Sequence, residues 1–347
     1  MERKLATIRQ IDKIAPIEGA DAIEAAHLGG WIVVVKKNEF KEFDKVCYFE
    51  IDSFIPTNIA PFLTREGYEP KEYEGIRGER LRTVKLRGQI SQGLVLDPHK
   101  LFNHEFAFNL QVGDDVTESL GILKYEPPLP ANLAGNIKGN FPSGISKTDQ
   151  ERIQNLPDYL EKYRYEEFEI SEKEDGSSCT VFRKDGEQGV CSRNYELKET
   201  VGNTFWDIVR SLRILEKLEI YNKNISLQGE LVGEGIQKNR GKYKGHHFKL
   251  FDIFDIDKKR YMTPEERLNT LKELNVIDGI EIPHVPILGS TNLDNLTVAD
   301  LLKMAEGKSV ISGSEREGLV FKSKNLINNQ VISFKSISNK YLIKNEE

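Results

Sequence analysis

Between Tyr125 and Gly144 the sequence becomes rich in proline, glycine and asparagine: Glu126-Pro-Pro-Leu-Pro130, Gly135-Asn136, Gly139-Asn140 and Pro142-Ser-Gly144. Such a stretch holds neither a helix nor a central strand, so it splits the chain into two parts. The division predicts an N-terminal domain over 1–124, a linker over 125–145 and a C-terminal domain over 146–347. A length of 347 residues accommodates two domains of ordinary size, each with its own core.

The two parts differ in pattern. The front reads as all-β with short helical pieces. Trp31-Ile-Val-Val-Val35, Lys45-Val-Cys-Tyr-Phe-Glu-Ile51 and Leu81–Leu86 are β-rich runs, interrupted by Pro56, Pro61 and Pro98. Short strands at this spacing suit a small barrel, and the five-stranded oligonucleotide-binding (OB) type is one candidate. The rear mixes both periods. A helix is expected from Ser146-Lys-Thr-Asp149 to about Tyr163, capped by Thr148 or Asp149. Another is expected over Thr204–Leu218, with Phe205, Ile208, Val209, Leu212 and Leu215 on one stripe. Pro264–Leu274 and Val298–Ala305 complete the helices. Strands are expected at Tyr165–Ile170, Cys179–Phe182, Ile225–Val232, His247–Phe254, Glu317–Lys322 and Gln330–Lys335. The fold class is therefore α+β, with antiparallel sheets and flanking helices behind an all-β domain.

Within the rear part, Ser171-Glu172-Lys173-Glu174-Asp175-Gly176-Ser177-Ser178 places a lysine two residues before an Asp-Gly turn. A lysine at a strand end can face a cavity and act as a nucleophile once its amine is neutral. The alternative is a surface hairpin with a solvated lysine. Other strands also deliver charge at their ends: Glu230, Glu317, Lys322 and Lys335. His246 and His247 are adjacent on a strand and face opposite ways, which argues against a metal pair.

Composition narrows the remaining classes. With 38% hydrophobic and 30% charged residues, and no apolar run of spanning length, a membrane protein is not expected. The N-terminus lacks a signal-peptide core, and Cys47, Cys179 and Cys191 are too scattered for a disulfide framework or zinc site. A cytoplasmic protein is the expectation. The net charge of −6 argues against a wholly basic nucleic-acid binder but leaves local patches open. Arg77, Arg80, Arg82, Lys85 and Arg87 form one such cluster, read either as a phosphate track or as a solvated sheet face. Lys238-Asn-Arg-Gly-Lys-Tyr-Lys244 is a second, with Lys238 and Arg240 as phosphate contacts or as parts of a solvated loop.

Six segments stand in order: Lys173-Glu-Asp-Gly-Ser-Ser178; Ser192-Arg-Asn194; Gln228-Gly-Glu-Leu-Val-Gly233; Phe248-Lys-Leu-Phe-Asp-Ile253; Arg316-Glu-Gly-Leu-Val-Phe-Lys322; and Ser333-Phe-Lys335. This set resembles the covalent nucleotidyltransferase superfamily of ATP-dependent RNA and DNA ligases and capping enzymes. Gly233-Glu-Gly-Ile-Gln-Lys-Asn-Arg240 and Lys147-Thr-Asp-Gln-Glu-Arg-Ile-Gln-Asn155 look like the RNA-ligase branch with an N-terminal accessory domain, the Deinococcus and Naegleria type. The resemblance implies that Lys173 attacks the α-phosphorus of ATP and carries AMP. Glu230, Glu317 and Lys335 complete the catalytic set, Lys335 with Lys322 stabilising charge on the α-phosphate, and Asp175, Glu230 and Glu317 hold Mg²⁺ or Mn²⁺, directly or through its waters. It implies nucleotide contacts from Glu172, Lys173, Arg152, Arg193, Glu230, Lys322 and Lys335. Phe248 would stack on adenine, with Phe251 as the rival. Arg80, Arg82, Lys85, Arg87, Lys238 and Arg240 would contact the polynucleotide.

The implied reaction seals 3′-hydroxyl and 5′-phosphate ends by enzyme adenylylation, AMP transfer and phosphodiester formation. The expected substrate is RNA or an RNA/DNA hybrid at a nick, with RNA on the 3′-hydroxyl side, and the enzyme acts as a monomer. Two readings compete: a capping guanylyltransferase, and a non-catalytic nucleic-acid-binding protein. The first normally carries a barrel after its last lysine motif, whereas only twelve residues follow Lys335 here. The second is disfavoured because every charged motif position is filled.

Overall fold

The computed structural model describes residues 3–126 and 136–346. It divides into two compact units, Met1–Pro128 with Leu342–Glu347, and Leu129–Tyr341. Part of the expected linker, 127–135, lies outside the described residues. Within the rest of it, Ile137–Asn140 forms a strand that pairs with Tyr195–Leu197 in the second unit.

The first unit is built of strands. Ala6–Gln10 and Leu94–Leu96 flank Lys45–Phe49 in one sheet. Lys13–Pro16, Ile23–Leu28 and Trp31–Lys36 form a meander. Ser53–Pro56 and Ile76–Arg80 are the inner strands of a four-stranded sheet. Alternation along Lys45–Phe49 feeds two cores, Cys47 and Phe49 into one, Val46 and Tyr48 into the other. The run expected as one strand at Leu81–Leu86 is broken. Leu81 and Arg82 separate Ile76–Arg80 from Thr83–Leu86, which forms a hairpin with Gln89–Gln92. Arg87 and Gly88 turn that hairpin with φ of 48° and 86°, the left-handed pair its right-handed twist requires.

The second unit holds two antiparallel sheets. The larger has seven strands, with Ser177–Lys184, Ile225–Gly233 and His246–Asp255 at its centre; the smaller has four, with Phe168–Lys173 and Gly318–Ser323 inside. Cys179, Val181, Leu227, Leu231, Phe248 and Leu250 bury the outer face of the large sheet under helices Thr204–Ser211, Ile214–Tyr221 and Pro264–Val276. Phe168, Ile170, Leu319 and Phe321 do the same for the small sheet against Val298–Ala305. Alternation turns Glu169 and Lys173 inward on the small sheet, while Phe182, Cys191 and Phe254 form a smaller apolar cluster on the other face of the large one.

Two helices differ from expectation. Residues 149–163 do not form one helix, and neither Thr148 nor Asp149 caps it. Arg152 is extended (φ −74°, ψ 138°) and bridges Lys335, whose amide donates to the Glu151 carbonyl at 2.8 Å. Only a short 3₁₀ turn, Ile153–Asn155, and a helix, Asp158–Lys162, remain. The Thr204–Leu218 stripe is two helices, because Arg213 between them adopts φ 52°. The three cysteines are buried and free, and no helix among the described residues is long and apolar enough to cross a membrane.

Helix Pro264–Val276 has the most complete start signal. The Thr263 hydroxyl accepts from the Glu266 amide at 3.2 Å, and Glu266 accepts from the Thr263 amide at 2.8 Å. Arg260 adds two bonds to Glu266 at 2.7 Å, and these first of all hold its carboxyl down to about 2. Thr263→Ala should cost about 1 kcal/mol of stability and lower the melting temperature by a few degrees, read by circular dichroism. The Glu266 contribution is present above the ordinary glutamate range and is lost as pH falls towards 2, so an acid titration of Glu266→Gln should be flatter there than that of the parent.

Candidate active site

The strands on either side of the Asp175-Gly176 turn do not pair with each other. Phe168–Lys173 bonds to Gly318–Ser323 and Ile287–Thr291 in the small sheet, while Ser177–Lys184 bonds to Glu187–Cys191 and Ile225–Gly233 in the large one. The surface-hairpin reading therefore fails. Lys173 stands where the chain crosses from one sheet to the other, on the inner face of its strand. Gly176 makes the crossing tight. A Cβ there would lie 2.3 Å from the Leu231 carbonyl oxygen, 2.8 Å from Val232 Cγ1 and 2.9 Å from Glu230 Cγ.

Lys173 Nζ donates to Glu317 Oε2 at 2.8 Å. Glu317 immediately precedes the strand whose Gly318 lies opposite Lys173, so register alone brings the two together. Glu230 comes from the facing sheet, in line with Ser178 and Lys249 across its neighbouring strands. Burial pulls the Lys173 pKa down, but Glu317 and Glu230 more than offset it, so the ammonium sits above the ordinary lysine value. Glu230 is pushed up to about 8 by burial, against the pull of Lys173 and with Glu317 adding to the rise. Burial also raises Glu317, again opposed by Lys173. The resting amine is thus a protonated donor between two acids and cannot attack an electrophile until that charge is balanced elsewhere.

The other cations of the cleft each face a carboxylate. Lys322 is buried, with Nζ 2.7 Å from Asp252 Oδ1 and 2.5 Å from the Phe251 carbonyl, tying the small sheet to the large one. Burial lowers its pKa despite Asp252. Lys335 Nζ and Arg193 approach opposite oxygens of Asp149 at 3.7 and 3.2 Å. Arg152 is buried beside Lys335.

Residues 166–337 match the family model described as RNA ligase, and residues 5–98 match an OB-fold domain model. No curated protein matches the chain. Three solved structures of Naegleria gruberi RNA ligase are each 51% identical to it, with a TM-score of 0.90 over 98% of both chains. One is a lysine-to-methionine mutant with AMP and Mn, one a lysine-to-alanine mutant with ATP and Mn, and one holds PPi. The chain belongs to the RNA ligase family. The α+β class with an OB-fold front region is borne out, and the capping-enzyme and non-catalytic readings give way to an RNA ligase.

Several residues of this ligase lie elsewhere than the sequence suggested. Phe248 is fully buried in the outer core of the large sheet and cannot stack on a base. Gly229 exists to seat it, since a Cβ there would meet the Phe248 ring at 2.5 Å. Phe251 is the aromatic on the inner side, 5.7 Å from Lys322 Nζ. Glu172 lies on the opposite face of its strand from Lys173, where Oε2 accepts from the Val310 amide at 3.1 Å. Arg80 is not on an open phosphate track: it pairs with Asp52 at 2.5 Å and covers the Tyr125 ring at 4.8 Å. Lys85 and Arg87 are exposed on the hairpin, as is Arg82 before it. Lys238 is exposed, whereas Arg240 is turned inward to Asp175. His246 and His247 each bond a backbone carbonyl.

Among the described residues, no three His, Cys, Asp or Glu side chains stand close enough to ligate one metal ion. Of the two ways expected for Asp175, Glu230 and Glu317 to hold a metal, directly or through its waters, the direct one is not assembled. Asp175 is held by Arg240 and Glu317 by Lys173. The donor chemistry still fits a divalent ion held through its own waters, because hard carboxylates here outnumber the ammonium among them. The sequence marked Asp149 only as a helix cap and gave no site role to it, to Asp252 or to Tyr341. The first two lie inside the motif segments, whereas nothing local marks Tyr341.

Gly176→Ala should force the turn away from Glu230, costing about 1–3 kcal/mol of stability. Labelling of Lys173 by adenylate should fall more than the melting temperature alone explains, as measured on folded protein below its transition.

Proposed function

We propose that this RNA ligase joins a 3′-hydroxyl to a 5′-phosphate through a lysyl-adenylate on Lys173, with ATP as donor. Its preferred substrate is a nick in a duplex with RNA on the 3′-hydroxyl side, and it acts as a monomer. The observation that carries the reading is Lys173 at the sheet crossing, its amine 2.8 Å from Glu317 and facing Glu230. The ATP, AMP, PPi and Mn named in the relatives' structures are the reactant, transferred group, product and metal of such a step.

Lys173 Nζ, having lost a proton, attacks the α-phosphorus; the bond from that phosphorus to the bridging oxygen breaks and pyrophosphate leaves. A 5′-phosphate oxygen then takes the adenylyl group and returns the lysine. The 3′-hydroxyl loses its proton as its oxygen attacks the 5′-phosphorus, and AMP departs. Lys322 and Lys335 stabilise charge on the phosphate oxygens by exchanging Asp252 and Asp149 for them. Arg193 and Arg152 orient the nucleotide from the same side, with Phe251 near the base. Glu230, Glu317 and Asp175 would hold Mg²⁺ or Mn²⁺ through its waters, and the ion would supply the positive charge that frees the amine and neutralises phosphate. Exposed Arg82, Lys85 and Arg87 in the front unit, and Lys238 in the rear, offer contacts to the polynucleotide backbone.

Mass spectrometry after incubation with ATP and metal should find one AMP on Lys173. Lys173→Ala should carry none, and Glu317→Ala and Lys335→Ala should label at background level. Because the acids keep the ammonium above its ordinary value, the labelling rate should rise with pH over roughly 6 to 9, and chelation of metal should abolish it. Sealing assays across RNA, DNA and mixed nicks, varied on each side of the break, test the substrate; equal rates with DNA on the 3′-hydroxyl side would refute the strand preference.

A further inference from the structure

The loop between the Glu230 strand and the Phe248 strand, residues 234–245, lies over the nucleophile turn and bonds three consecutive residues of it. Tyr243 donates its hydroxyl to Glu174 Oε2 at 3.0 Å, Arg240 donates to Asp175 Oδ2 at 3.2 Å, and Gln237 donates to the Gly176 carbonyl at 3.3 Å. Its own shape is fixed rather than pliant. Asn239 bonds the Tyr243 amide and carbonyl at 3.0 and 2.9 Å, and Gln237, Asn239 and Lys242 hold left-handed φ of 48°, 42° and 53°. Arg240 is backed by Tyr341, whose ring lies 4.9 Å from the guanidinium carbon and whose hydroxyl it also bonds. Lysines 238, 242 and 244 of the same loop point outward and are exposed.

We infer that Arg240, with Tyr243 and Gln237, is a positioning residue for the adenylylation step: the loop clamps the Glu174–Gly176 turn and thereby sets where Lys173 stands relative to Glu230. The loop grows directly out of the strand that carries Glu230, so one rigid element fixes both sides of the nucleophile's surroundings. Arg240 also places the only guanidinium bonded to Asp175 among the described residues. Without it, Asp175 keeps the Tyr341 hydroxyl beside it, and the turn is otherwise held by the Tyr243–Glu174 and Gln237–Gly176 bonds. A guanidinium stacked on an aromatic ring and bonded to a carboxylate loses little freedom on binding, which suits a fixed support. This assignment rests on the reading that Lys173 receives AMP. It differs from the expectation that Arg240 touches the polynucleotide, because a clamp acts before any strand is bound.

The test is single-turnover AMP labelling of the full chain with ATP and Mn²⁺ in the absence of RNA. Arg240→Ala should lower the labelling rate at saturating ATP by about tenfold or more, with the ATP concentration for half-maximal rate changed less than about threefold. Arg240→Lys should recover part of the loss, which a merely structural defect would not show. Wild-type labelling by Arg240→Ala, with sealing impaired only when RNA is added, would overturn the proposal and return Arg240 to the strand. A loss confined to ATP affinity would overturn it as well. Should Arg240→Ala not fold, Tyr243→Phe removes one hydroxyl and carries the test: slower labelling supports the clamp, an unchanged rate overturns it. Failure of the parent protein itself to label would instead sink the adenylylation reading, and the clamp with it.

Discussion

One ammonium between two carboxylates, Lys173 with Glu317 and Glu230, sets the terms for the rest of the second unit. The three groups come from two different sheets, so the sheets must face each other and the chain must cross between them at this point. Helices bury the outer face of each sheet, while the inner side carries the charged groups of the site beside a smaller apolar cluster of Phe182, Cys191 and Phe254 on the large sheet. The arrangement also keeps the lysine protonated in the absence of ligand. Its acids hold the proton in place, and only added positive charge or a change in their positions releases it.

The remaining cations of the cleft follow the same pattern. Lys322 rests on Asp252, Lys335 and Arg193 on Asp149, and Arg240 on Asp175. On the proposed reading a nucleotide entering such a site need not find bare cations: its phosphate oxygens would replace Asp252 and Asp149 on Lys322, Lys335 and Arg193, while Arg240 stays on Asp175. Binding would then be an exchange of anions, which spares the cations an unpaired state before the ligand arrives and selects ligands with charge in several places at once.

Much of this was legible before any fold was seen. Strand positions and helix starts follow from period and caps, and the lysine and acids of the site sit in short segments whose order survives in one chain. The misses share a physical cause. Phe248 and Phe251 are three apart on one strand, and a register shift between Gln228 and Gly229 on the partner strand complicates simple alternation; burial, not spacing, separates them. The helix over 149–163 fails because a strand far along the chain bonds residues 151 and 152. Arg240 looked like a surface cation because its partners, Asp175 and Tyr341, are distant in sequence. Where an outcome is decided by a long-range partner, local composition carries no trace of it.

The buried pair of Arg267 and Glu169 illustrates what such a site demands of its scaffold. Arg267 has no exposed surface, yet its guanidinium meets both oxygens of Glu169, on the inner face of the nucleophile strand, at 2.6 and 2.9 Å. Two apolar side chains of similar volume would hold helix and strand together at least as firmly. The scaffold under the nucleophile strand therefore keeps charge in its interior, next to the buried Lys322, where apolar residues would otherwise pack.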